Sequence, residues 1–129
     1  MKAYWDSSAL IEAVNDEGLN RRLIAEHAWT RPHALAETFS TLTGNPETRI
    51  SADNAAAVIA VLARSLDFVE LTGSEVVSAL RNARQKGVRG GRVHDYLHAV
   101  AAEKSGAGKI LTLDKNDFAG LTGLEIEQA

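Results

Sequence analysis

Cysteine is absent from the chain. That excludes disulfides and thiolate zinc sites, and it fits a reducing compartment. Long apolar runs are absent too: no stretch approaches the roughly 18 residues of a membrane-crossing helix. The opening MKAYWDSSAL carries an acid too early for a secretory leader, so the expectation is a cytoplasmic protein without membrane attachment. Basic charge is not in excess. Fourteen Lys and Arg stand against 17 Asp and Glu, for a net charge of -3, so the chain is no general polyanion-coating protein and any nucleic-acid contact must rest on a local patch. Repeats, low-complexity segments and linkers are missing as well. What remains is 129 residues, 45% hydrophobic and 24% charged. That is the size and composition of one soluble domain able to bury a core without staples, and residues 1–129 are read as that single domain.

One basic patch stands out. RNARQKGVRGGR, residues 81–92, holds Arg81, Arg84, Lys86, Arg89 and Arg92 with no acid. Cations are favoured at helix C-termini, so a solvated helix end explains this patch as well as phosphate contact does. Aromatic residues are scarce. Tyr4, Trp5, Trp29 and Tyr96 are the anchors available to an interface.

Apolar, β-prone KAYW (2–5) reads as a first strand, and SSALIEAV turns helical. LNRRLIAEH continues as a second helical piece after Gly18, and HAWT (27–30) is a short strand. Pro32 suits a helix start, and HALAETFSTLT carries that helix to Gly44. Ser51 caps the alanine-rich ADNAAAVIAVLARSL. DFVEL (67–71) is a strand, and a helix begins around Ser74 and ends near Gly87. HDYLHAVAAEKS is helical to Gly106, KILTL (109–113) is the strongest strand, and LEIE (124–127) is a weak last one. Strands alternating with helices predict a three-layer α/β/α sandwich around a mostly parallel sheet of about five strands. Ligands bind such sheets beyond the carboxyl ends of the strands. Asp6 and Asp114 sit at two of those ends.

Each acid has an ordinary reading. Asp6 suits a helix cap, and Ser7 or Ser8 would serve equally. Asp114 and Asp117, in TLDKNDF, suit the same job, while Asp95 lies in a first helical turn, where the helix dipole favours it. Leu35, Phe39 and Leu42 form one helical stripe with Glu37 nearly opposite. That predicts a solvent-facing Glu37, which enters a site only if the opposite face lines a cleft. HDYLH (94–98) offers two histidines four apart with an acid between them, as in a zinc-peptidase helix. Such a site needs a third ligand. AVAAEKSG follows with no further histidine, Glu103 is poorly placed, and nothing marks His27 or His33. His94 is therefore expected to flank the helix start, and His98 to be a partly buried polar residue or a dimer contact.

Taken together, YWDSSALIE, RPHALAETFSTLTG and VHDYLHAVAAEKSGAGKILTLDKNDF, in that order, resemble the three blocks of the PIN-domain nucleases, above all the VapC-type toxin ribonucleases. The third block is the most specific. The resemblance covers nearly the whole chain and implies a Mg2+- or Mn2+-dependent endoribonuclease. Asp6, Glu37 and Asp95 match the acidic cluster. Asp114 matches the fourth acid, with Asp117 as substitute or supporting residue, and Ser8 and Thr112 match positions that hydrogen-bond the acids. Asp6, Asp95 and Asp114 would hold one or two metals, and Glu37 a second metal or the attacking water. Arg81, Arg84, Lys86, Arg89, Arg92 and Lys115 would hold RNA phosphates. A cognate antitoxin and a two-fold homodimer complete the implied partners. The alternatives are a non-catalytic PIN-like domain that binds RNA or a partner, and a phosphate-handling receiver or D-x-D phosphatase. Against the latter, Ser8 stands two residues after Asp6 where an acid would be needed.

Overall fold

The structure is a computed structural model and describes residues 2–129. Five short strands run parallel: β1 (Tyr4–Trp5), β2 (Trp29–Thr30), β3 (Asp67–Phe68), β4 (Lys109–Thr112) and β5 (Glu125–Gln128). Their order is β3-β2-β1-β4-β5. Tyr4 lies beside Trp29 on one side and Ile110 on the other. Six helices connect them: α1 (Ser7–Asn15), α2 (Glu17–Glu26), α3 (Pro32–Gly44), α4 (Ala52–Ala63), α5 (Gly73–Arg81) and α6 (Val93–Ser105). Among the described residues no helix is long and apolar enough to cross a membrane.

The layering follows from the two-residue period of a strand. Trp5 and Leu111 point to one face and pack with Ala9, Leu10, Leu23, Ala34 and Leu62 from α1 to α4. Their neighbours Tyr4 and Ile110 point to the other and pack with Ala79 of α5 and Tyr96, Ala99 and Ala102 of α6. Both faces of the central strands are therefore buried, which is why β1 and β4 read as apolar runs rather than alternating ones. Trp5 is fully buried, and its indole N–H donates to Glu26 Oε1 at 2.7 Å. Tyr4, Trp5 and Tyr96 are thus core residues rather than interface anchors. At the outer strand, Arg22 and Lys109 pair with Glu127, tying polar β5 to α2 and β4. Those hydrogen bonds hold the Glu127 carboxyl down at about 2.

Local chemistry moved several expected boundaries. The second helix starts before Gly18, because Asp16 caps it by accepting from Leu19 N at 2.9 Å. The alanine-rich helix stops at Ala63 rather than Leu66; Ser65 and Leu66 tighten into three-residue turns that deliver Leu66 to the core. DFVEL pairs as a strand only over Asp67–Phe68, although Val69 N still bonds to Thr30 O. The helix expected to reach Gly87 ends at Arg81. A capping box between Thr72 and Glu75 starts it, and a 3-10 turn over Ala83–Lys86 follows Asn82. The last strand lies one residue further on than expected.

Gly106 ends α6 with φ of 80°, left-handed geometry that costs other residues about 1–2 kcal/mol. Open space surrounds the position a Cβ would take, so only the backbone penalty applies. Gly106→Ala is expected to lower unfolding stability by about 1–2 kcal/mol in urea titrations; an unchanged midpoint would contradict this account of the helix end.

Candidate active site

β1 and β4 are neighbours in the middle of the sheet. From β1 the chain moves outward through β2 to β3, and on the other side from β4 to β5. The carboxyl ends of β1 and β4 therefore flank a crevice, the usual ligand position in such a sheet. Asp6 follows β1 directly and is 4% exposed. Its Oδ1 accepts from Ser8 Oγ at 2.7 Å and from Ala9 N at 3.0 Å, capping α1. Its Oδ2 accepts from Thr112 Oγ1 at 2.6 Å, across the β1–β4 junction. Ser8 in turn accepts from Leu113 N at 2.9 Å. One carboxylate is thus both a helix cap and a fixed polar group at the crevice.

Three further acids lie on the elements nearby: Asp95 on α6, and Asp114 and Asp117 at the 3-10 turn after β4. Asp95 lies half-buried in the first turn of α6. Burial, then the charges of Asp117 and Asp6, raise it from the ordinary aspartate value to about 6, with Glu37 adding to the push and His98 opposing it. Asp117 lies in the 3-10 turn Lys115–Phe118 after β4 and is also pushed up, by desolvation and by Asp114 and Asp6, against the pull of Arg92. Asp114 is exposed and caps that turn, accepting from Asn116 N at 3.0 Å. The charge of Asp117 is among those that raise Asp95. Asp95 and Asp117 are thus disfavoured as anions, first by burial and then by neighbouring carboxylates. This donor set fits a hard divalent cation, which prefers oxygen ligands.

Glu37 faces an open cleft rather than bulk solvent, its side chain 25% exposed. The buried face of α3 is Ala34 and Thr38, small residues at the close packing with α1 and α4, while Phe39 is 36% exposed. That rotation turns Glu37 inward to His98, whose Nε2 lies 2.7 Å from Glu37 Oε1. His98 is 2% exposed, and its Nδ1 lies 2.7 Å from the Tyr4 hydroxyl. Burial pushes the Tyr4 phenol well above its ordinary value. Tyr4 therefore stays protonated and donates to Nδ1, which puts the imidazole proton on Nε2, donating to Glu37. Burial works to raise Glu37, but the bond from His98 and the nearby imidazoles of His98, His33 and His94 outweigh it and hold the carboxyl below its usual range.

The paired histidines of HDYLH thus part company. His98 spends both ring nitrogens inside the protein and is neither a metal ligand partnered with His94 nor a surface contact. His94 is exposed and stacks on His33 of α3, with ring centroids 6.1 Å apart at 17°. An open cleft of about 450 Å3 lies there, lined by Ser7, His33, Glu37, Ser40 and His94. A cleft of about 480 Å3 at the α1–α2 turn carries Asp16 and Glu17, but the first is spent on its cap and the second faces Arg21.

Of the basic residues, Arg81, Arg84, Lys86, Arg89 and Lys115 are exposed. Arg92 behaves differently: it is half-buried, donates to Ala119 O beside the Asp117 turn, and has a buried Nε with no hydrogen-bond partner. Sequence reasoning missed the Tyr4–His98–Glu37 chain and the approach of His33 to His94. The only available signal was the four-residue spacing of His33 and Glu37 on one helix face.

The PIN domain family model matches residues 3–123. The crystal structure of PAE2754 from Pyrobaculum aerophilum superposes with a TM-score of 0.71 at 18% identity, covering 98% of this chain and 89% of that one. At that identity the likeness is one of fold. No curated protein matches.

The raised Asp95 value has a consequence for stability. Between the ordinary aspartate value and about 6 the folded state holds the proton more tightly than the unfolded one. Asp95 therefore opposes folding increasingly as pH rises through that window, and most strongly above it. Because the group is about half exposed, solvent screening reduces the effect to roughly 1 kcal/mol. In chelator at pH 7.5, Asp95→Asn is expected to raise the melting temperature by a few degrees, with the gain gone near pH 3.5. A lower Tm for the variant at pH 7.5 would refute the electrostatic account.

Proposed function

From the premise that the chain belongs to the PIN-domain family, we propose that it is a metal-dependent endoribonuclease, the toxin of a toxin–antitoxin pair. The observation that carries the catalytic part is that Asp6 follows β1, Asp117 lies in the turn after β4, and Asp95 of α6 is driven to about 6 by burial and then by the charges of those two. Structural ion pairs lower carboxyl values; a cluster that raises them is arranged for a cation or for proton transfer.

Asp6, Asp95 and Asp117 would hold Mg2+ or Mn2+, with Asp114 beside Asp117. When bound, such an ion supplies a hydroxide-like nucleophile at neutral pH and neutralises charge on the phosphate. The chain's own residues supply orientation and proton handling. Ser8 and Thr112 fix both oxygens of Asp6. Glu37, clamped by His98, orients the attacking water and accepts its proton. The water oxygen bonds to phosphorus and the P–O3′ bond breaks. The 3′ oxygen takes up a proton from solvent as it leaves, balanced by release of the one Glu37 accepted, giving a 5′-phosphate and a 3′-hydroxyl. The exposed Arg81, Arg84, Lys86, Arg89 and Lys115 contact RNA phosphates, which position the strand without reading sequence. Arg92 belongs to the Asp117 turn instead. A cytoplasmic setting, a cognate antitoxin that covers the acidic crevice and a two-fold homodimer are part of the same reading.

Purified protein with structured RNA and Mn2+ tests the proposal. Cleavage is expected to stop with chelator and to slow by about 100-fold or more in Asp6→Asn and Asp95→Asn. His98→Ala should cost about 10-fold, as loss of a supporting hydrogen bond does. Equal decay with and without chelator, or wild-type rates in Asp95→Asn, would sink the enzymatic reading. RNA bound but uncut would leave a binding domain in its place.

A further inference from the structure

We propose that His33, His94 and Glu37 form a second metal site, distinct from the all-carboxylate centre, that takes one zinc-class transition-metal ion. One potential ligand atom from each of the three lies within 4.8 Å of the other two. His33 and Glu37 are four residues apart on α3, so one helix face presents both, and α6 brings His94 at its first turn. The two rings already lie nearly parallel.

The donor chemistry sets this site apart. Two imidazoles and one carboxylate suit zinc, cobalt or nickel, whereas oxygen-only ligands suit magnesium and manganese. Three protein ligands with an open position form a recurrent zinc geometry. A tetrahedral shell with Zn–N bonds of about 2.0–2.1 Å puts its donors roughly 3.4 Å apart. The two histidines are exposed, so their rings are free to turn toward that spacing.

The carboxylate is also built as a ligand. Glu37 Oε1 accepts from His98, which is itself held by Tyr4, and this leaves the second oxygen for an ion. Metal-binding carboxylates are characteristically oriented by such an outer hydrogen bond. The cleft beside the cluster supplies room for a water or a further donor, with Ser7 and Ser40 on its wall. Glu37 also acts electrostatically on Asp95, so an ion here would influence the acidic residues while sharing no metal ligand with them.

Binding of Zn2+ is the test, and it needs neither RNA nor nuclease activity, so it fails or succeeds apart from the proposed function. Zn2+ is titrated into full-length protein against a chromophoric chelator at pH 7.4. The wild type is expected to bind one ion at micromolar Kd or tighter. His33→Ala and His94→Ala should each weaken it at least about 10-fold, with thermal melts showing that these surface variants remain folded. Asp117→Asn should change it by less than about 3-fold. The proposal is overturned if wild type binds no more tightly than the double histidine variant, or if affinity falls with Asp117→Asn and survives loss of the histidines.

Discussion

Like charges repel, yet Asp6, Asp95 and Asp117 lie on three separately packed elements that bring their charges to bear on Asp95. Asp6 is fixed by the end of β1, and its two oxygens are bound by Ser8, Ala9 N and Thr112. Asp95 is delivered by an alanine-rich helix whose buried Ala99, Ala101 and Ala102 let it lie close on the sheet. Asp117 rides a turn anchored by the buried Phe118. Hydrophobic burial on both faces of the sheet thus holds an arrangement that electrostatics alone would disperse. An ion that binds only the folded chain returns that energy by mass action.

The Tyr4–His98–Glu37 chain shows how a buried polar group is accommodated. Leaving an imidazole unsatisfied in a core is costly, and here both nitrogens find partners. The result is directional. Protonation of the phenol fixes the imidazole tautomer, which fixes the carboxylate. A strand in the middle layer thereby sets the orientation of a side chain on α3. His98 and Asp95 are three residues apart on α6, so the same helix turn contributes one acid to the crevice and the clamp for another.

Much of the fold was legible in order and kind. Alternating apolar strands and capped helices announce a parallel α/β sandwich, and every expected strand and helix has a counterpart in the structure, with boundaries displaced by one to several residues. Displaced boundaries fall where side chains bond to backbone, at Asp16 and Asn82, and where the backbone tightens into shorter turns after Ala63. The wheel for α3 misled because it ranked faces by hydrophobicity, whereas close helix packing selected the small Ala34 and Thr38 and left Phe39 outside.

The sequence by itself determined the element order, the position of Asp6 at a strand end and of Asp95 in a first helical turn, because periodicity and capping are local properties. Only the tertiary structure decided which histidine meets which acid. His98 sits with Glu37, 61 residues away, rather than with His94. His94 sits with His33. Those pairings depend on how α3 rotates against α1 and α4. That rotation is settled by packing volume between distant segments, which no local pattern encodes.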